Sequence, residues 1–223
     1  MFLLNKTIYI IRYLQLLKSN LITLKVLGDM AFGTKHLIIA VIVALLIVPI
    51  FFGVYIDFLF VSELSINIVL FLIVGFLSLL GLGKLMEIFG YNEKSKEAMR
   101  QHDVVNSLLK GEGITTLVIF FPLTMVMEEL IFRYYLIGIL LNELRVDFIL
   151  AVVLSSIIFS IYHVHIWFKF KDKAILISYL ITSFLLGIYN GFILLSLGIF
   201  ACIILHTGLV FILYYTLYKK LSK

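Results

Sequence analysis

The most constraining feature of the sequence is the apolar run over residues 174–218, which contains no Asp, Glu, Lys or Arg. At about 1.5 Å per residue in a helix, this run is roughly twice as long as one bilayer crossing requires. It must therefore turn back once and form two membrane-spanning helices. Small and polar residues that favour a turn lie around its middle: Gly187, Asn190, Gly191, Ser196 and Gly198.

Four further apolar runs are bounded by charged residues: 37–56, 64–83, 113–142 and 148–168. Each is long enough for a transmembrane helix, which takes about 20 residues. Composition agrees, because 63% of the residues are hydrophobic and 14% are charged, whereas soluble domains average about 45–50% and 25%. A soluble protein is thereby excluded, and the single cysteine, Cys202, excludes a disulfide scaffold. The predicted fold class is all-α: a polytopic membrane helix bundle of about six transmembrane helices.

Loop charges predict the orientation, since Lys and Arg collect on the cytoplasmic side of a membrane. Every Lys and Arg except Arg133 and Arg145 falls in a segment that is cytoplasmic if the N-terminus is inside. We therefore expect both termini in the cytoplasm. The net charge of +5 follows from this asymmetry and needs no nucleic-acid partner to explain it.

Three regions are predicted along the chain. Residues 1–34 alternate apolar stretches with Lys and Arg, which predicts a basic amphipathic segment on the inner leaflet. Residues 35–112 contain two transmembrane helices and a polar cytoplasmic loop. Residues 113–218 form the remaining helix core, which carries the intramembrane charges.

Three charged residues interrupt the third predicted crossing: Glu128, Glu129 and Arg133. Each opposes insertion by about 2.5–3.5 kcal/mol, so such a cluster needs a structural or a chemical purpose. On a helix, Glu129 and Arg133 are four residues apart and can pair. The same geometry leaves Glu128 without that partner. The cluster is therefore either a buried set of ions that fixes the helix or a site in which Glu128 works.

Histidines in the later crossings favour a site. His163 lies near the cytoplasmic end of the fourth crossing, and His206 lies near the middle of the last one. A lone intramembrane histidine is more often a hydrogen-bonded packing residue than a ligand, as we expect for His165. The adjoining crossings nevertheless contain two glutamates, one arginine and two histidines. Helix packing alone seldom needs so many ionisable residues within the membrane.

These residues follow a known order. Glu-Glu-x-x-x-Arg begins at Glu128, Phe-x-x-x-His begins at Phe159, and a glycine-spaced helix then precedes His206. The pattern resembles the CPBP intramembrane protease family, also called the CAAX protease or Abi family, over roughly residues 113–215. One position departs from it, because the chain has Val210 where the family usually has Asn or Asp.

The resemblance implies hydrolysis of a peptide bond by water that Glu128 and His163 activate. It also implies that Glu129 and Arg133 hold the site and that His206 faces the oxyanion. Zinc bound by Glu128, His163 and His206 suits the same residue types, so the cofactor is either none or zinc. We prefer the metal-free mechanism.

Val210 can neither donate nor accept a hydrogen bond, and losing one oxyanion donor typically costs about 10²–10³ in rate. The polar residues that could replace the missing contact are Asn190, His165 and Thr207. If none of them does, the chain is a slow or inactive relative.

The resulting hypothesis is an intramembrane endopeptidase in the lipid bilayer that cuts a membrane-associated peptide or protein. The absence of organelle-targeting signals favours a prokaryotic plasma membrane, where processing of bacteriocins or pheromones, or self-immunity to them, suits such an enzyme. The alternative is a catalytically inactive membrane scaffold or immunity protein that retains the buried cluster. Val210 supports that alternative.

Overall fold

The computed structural model describes residues 34–60, 65–111 and 113–222, and this part of the chain contains helices but no strands. The predicted amphipathic segment lies almost entirely outside the described residues. In chain order the helices are α1 (Thr34–Phe51), α2 (Ile66–Leu85), α3 (Glu93–Met99), α4 (Asp103–Lys110), the segmented helix α5, α6 (Phe148–Tyr162), α7 (His165–Phe170), α8 (Lys173–Leu197) and α9 (Ile199–Leu221).

Helix α5 alternates between two backbone geometries. Its segments are π-helical Thr116–Phe120, α-helical Phe121–Glu129, π-helical Leu130–Ile137 and π-helical Ile139–Glu143. π-Helical turns inside helices are rare and often lie at functional sites. In this protein one such segment begins directly after the two glutamates.

Four helical stretches in the described residues are long and apolar enough to cross a membrane: Ile66–Gly90, Phe148–Phe170, Lys173–Leu197 and Ile199–Leu221. They confirm an all-helical integral membrane protein. The first predicted crossing coincides with a shorter apolar helix, Lys35–Phe51, and the charged helix α5 is not among the four. Six crossings and cytoplasmic termini therefore stay predictions.

The turn within the last apolar run lies at Gly198, at the end of the predicted cluster. Its φ of +88° is in the left-handed region, and a Cβ there would lie 2.5 Å from the carbonyl oxygen of Leu59. Glycine suits both conditions because it has no side chain. The prediction that the other residues of this cluster also form the turn is wrong, because residues 187–196 lie inside α8.

Two of those glycines serve helix packing instead. A Cβ on Gly187 would lie 2.8 Å from Ser156 Cβ, and a Cβ on Gly191 would lie 2.6 Å from Val152 Cγ1. Ser156 and Val152 are one turn apart on α6, so α6 and α8 approach each other closely. Small residues four apart permit such contacts between membrane helices. This contact fixes the face of α8 from which Asn190 projects.

Polar contacts collect at the two ends of the helix core. At one end they join segments predicted to be cytoplasmic: Lys220 Nζ with Glu87 Oε1 at 2.6 Å, Lys169 Nζ with Asp103 Oδ1 at 2.8 Å, and Ser95 Oγ with Asp172 Oδ2 at 2.9 Å. At the other end the phenol of Tyr55 donates to Glu143 at 3.5 Å, and the rings of Phe60 and Phe200 stack at 4.9 Å. Segments that the sequence predicts to be cytoplasmic thus contact one another.

Candidate active site

Glu129 is the centre of the buried polar cluster. His206 Nδ1 lies 2.7 Å from its Oε1, and Asn190 Nδ2 donates to the same oxygen at 3.0 Å. Arg133 Nε lies 3.4 Å from the other oxygen, Oε2. An ionised carboxylate can only accept, so the contact with His206 places a proton on Nδ1 of that ring. Glu129 is thus held by three side chains from three helical elements.

Arg133 has a cation–π contact in addition to its ion pair. Its Cζ lies 3.9 Å from the centroid of the Phe159 ring, and the whole side chain is buried. Its Nη1 and Nη2 atoms make no hydrogen bond to any residue that the structure describes. Arg133 therefore braces Glu129 against α6, and the four-residue spacing of the two side chains agrees with the sequence expectation.

Glu128 has surroundings quite different from those of its neighbour. It is buried, and its Oε2 atom has no hydrogen-bond partner within the described part of the chain. Among the described residues, the basic atom nearest to it is His206 Nε2 at 3.9 Å. That separation is too long for a hydrogen bond and is short enough for one water molecule to contact both atoms. Glu128 is thus the available carboxylate of the pair.

His163 lies where α6 ends and the chain bends toward α7. Its Nδ1 is 2.9 Å from the carbonyl oxygen of Phe159, which can only accept, so Nε2 is the unprotonated nitrogen of the neutral ring. The rings of His163 and His206 both pack edge-on against Phe159, at 4.8 and 5.9 Å. Over the described residues, His163 has no nitrogen within 4.0 Å of a Glu128 oxygen. The structure therefore places His163 beside the cluster, across Phe159.

The candidates for an additional oxyanion donor have different surroundings. His165 is exposed, and its Nδ1 lies 2.7 Å from the carbonyl oxygen of Tyr162. Asn190 is buried and is joined to Glu129. Thr207 Oγ1 is buried without a partner among the described atoms. Val210 packs in an apolar cluster with Phe121 and Met125, which is the environment that valine favours.

Two neighbours of the site were missed in the sequence analysis. Tyr179 packs against His163 at 5.9 Å between ring centroids, and its hydroxyl is 2.7 Å from that of Tyr214. Cys202 Sγ donates to the backbone oxygen of Asn190 at 3.2 Å. The sequence contains a signal for Tyr179, because it precedes Asn190 by eleven residues. This is about three helical turns, so the two residues lie on the same face of α8.

The predicted zinc ligands do not form a ready metal site. Within the described residues, no group of three or more His, Cys, Asp or Glu is arranged to hold a metal ion. Glu128 and His206 approach each other, but His163 is separate from them. Zinc stays an untested prediction, and no step below is derived through a metal.

Comparison with known proteins identifies one similarity. Residues 110–212 match the family described as type II CAAX prenyl endopeptidase Rce1-like. No curated protein and no solved structure matches the chain. The matched region begins at the end of α4 and includes Glu128, Glu129, Arg133, His163, Asn190 and His206.

Proposed function

We propose that the protein is an intramembrane endopeptidase in which Glu128 activates water, on the basis of the match of residues 110–212 to the type II CAAX prenyl endopeptidase Rce1-like family. The substrate class is a peptide or protein associated with the membrane. His163, at the end of α6 nearest the Lys169–Asp103 pair, supports cleavage close to that end of the helix core.

One observation carries the proposal, namely the contrast between the two adjacent glutamates. Glu129 accepts from His206 and Asn190 and faces Arg133, so its carboxylate is engaged in holding the site. Glu128 is buried beside it. Among the described residues neither Glu128 Oε2 nor Glu129 Oε2 accepts a hydrogen bond, but Glu129 Oε2 faces Arg133 Nε at 3.4 Å, whereas the basic atom that Glu128 Oε2 faces is His206 Nε2 at 3.9 Å. A buried carboxylate without a partner is costly to stability, and such costs are typical of groups kept for chemistry.

The proposed reaction uses Glu128 as the general base. The water oxygen bonds to the carbonyl carbon while one water proton passes to Glu128, and this proton moves to the amide nitrogen as the C–N bond breaks. The products are a carboxylic acid and an amine. By the family resemblance His163 would be a second acceptor for the attacking water through its unprotonated Nε2; among the described residues it lies across Phe159, with no nitrogen within 4.0 Å of a Glu128 oxygen.

His206 has the proposed role of stabilising the oxyanion. Its Nδ1 proton is directed to Glu129, so a proton on Nε2 makes the ring an imidazolium whose charge the Glu129 carboxylate balances. Nε2 is on the side of Glu128, where the water would be activated. A charged donor at this position stabilises the negative oxygen that forms during attack.

Val210 favours the second candidate, a catalytically inactive scaffold or immunity protein. Its apolar packing against Phe121 and Met125 leaves that position without a hydrogen-bonding group. The two candidates differ in one measurable respect, because only the first releases peptides.

The test compares cells expressing the natural chain with cells expressing Glu128→Gln at matched expression, by mass spectrometry of released peptides and new termini. Gln has nearly the same shape but cannot take a proton from water. We expect products with the natural chain alone. Identical peptide profiles from two folded proteins would refute the peptidase proposal and favour the scaffold.

A further inference from the structure

Asn190 uses both N–H groups of its side-chain amide in the buried cluster. Nδ2 donates to Glu129 Oε1 at 3.0 Å and to the backbone oxygen of Cys202 at 3.3 Å. An amide nitrogen has only two protons, so this geometry leaves none for an oxyanion. Asn190 is fully buried in α8, away from any solvent that could replace these contacts.

A second hydrogen bond makes the contact between α8 and α9 reciprocal. Cys202 Sγ donates to the backbone oxygen of Asn190 at 3.2 Å. Cys202 is one helical turn before His206, so this pair of contacts fixes the height of His206 relative to α8. The amide of Asn190 thus connects the helix carrying Glu129 with the helix carrying His206.

We propose that Asn190 is a positioning residue for the reaction of Glu128, an inference that rests on the proposed function. Two donors, Asn190 Nδ2 and His206 Nδ1, converge on the single oxygen Oε1 of Glu129. Holding this oxygen in place keeps the Nδ1 proton of His206 directed at it. The other ring nitrogen, Nε2, is thereby aimed at Glu128, 3.9 Å away.

The kinetic test uses the full chain in lipid nanodiscs. The substrate is the precursor of a peptide product found by the mass-spectrometric comparison, and the rate at which that product is released is measured. Asn190→Leu replaces the amide by an apolar group of similar volume, and Asn190→Asp keeps the shape but replaces the donor by an acceptor. We expect kcat to fall by about 10–100-fold in both, as for other partners that orient a functional histidine, with KM changed by no more than about twofold.

Ser183→Ala is the matched control. Ser183 is also buried in α8, and in the described part of the chain its hydroxyl donates only to backbone oxygens of its own helix, those of Tyr179 and Leu180. Its loss is expected to leave kcat unchanged. An Asn190 variant that folds and retains the natural kcat overturns the proposal.

A second readout does not depend on turnover. The ¹⁵N chemical shifts of histidine-labelled protein distinguish rings protonated at Nδ1 alone, at Nε2 alone or at both nitrogens, and the His206 signal is assigned by its loss in His206→Gln. We expect Nδ1 of His206 to be protonated in the natural chain and a mixed or altered signal in Asn190→Leu. A natural His206 signal in that variant overturns the inference whatever happens to kcat. If the natural chain itself releases no product, the proposed function fails, and this spectrum alone decides the role of Asn190.

Discussion

At the scale of single residues, the two glutamates of α5 should respond in opposite ways to the same substitution. Glu129→Gln leaves Arg133 buried without its counter-charge, and breaking a buried pair on one side typically costs about 3–5 kcal/mol. Glu128→Gln removes a carboxylate whose Oε2 has no partner among the described residues, so stability should be unchanged or higher. Thermal unfolding of both variants in the same detergent measures the difference. Equal destabilisation by the two substitutions would contradict their separate roles.

Arg133 should matter more to the amount of folded protein than an exposed arginine. Arg133→Ala removes both the ion pair with Glu129 and the cation–π contact with Phe159. Arg145→Ala is the control, because Arg145 is exposed. We expect the first variant alone to lose most of its folded protein, measured by size-exclusion chromatography of membrane extracts. Similar yields from both would mean that the buried pair is dispensable.

At the scale of helices, the sequence predicted contacts within one element better than contacts between elements. The pairing of Glu129 with Arg133 follows from a four-residue spacing, which local helix geometry determines. The partners of His206 and Asn190 depend on how three helices pack, and no local spacing encodes that packing. The turn shows the same limit, because glycines that favour turns also permit close helix contacts, and only Gly198 serves the turn.

The close contact between α6 and α8 predicts that a larger residue in place of Gly187 destabilises the protein. Gly187→Ala places a methyl group 2.8–2.9 Å from Ser156, including its Cα, so the backbones must separate. Gly81→Ala is the control on α2, since a Cβ there meets nothing within 4 Å. We expect Gly187→Ala to destabilise by about 1–3 kcal/mol, as overpacking does, and Gly81→Ala to be neutral or stabilising, because alanine favours helix. The midpoint of unfolding in a graded denaturing detergent compares them.

At the scale of the whole molecule, the sequence predicts which end of the helix core faces the cytoplasm. The end with the Lys220–Glu87 and Lys169–Asp103 pairs carries most of the basic residues that the structure describes, whereas Arg145 is at the end with Tyr55 and Glu143. If successive helices run in alternating directions, the basic segments meet at one end of the helix core and the segment with Arg145 lies at the other. The positive-inside rule then assigns the basic end to the cytoplasm.

Cysteine labelling tests this orientation, because Cys202 is the only cysteine in the chain and is buried. In a Cys202→Ala background, Gln101→Cys and Arg145→Cys place single thiols at exposed positions at opposite ends. A maleimide that cannot cross membranes should label Arg145→Cys in intact cells and Gln101→Cys only after the cells are opened. The reverse pattern would place the His163 end of the site outside the cell, and the substrate would then have to be a peptide on the outer surface of the membrane.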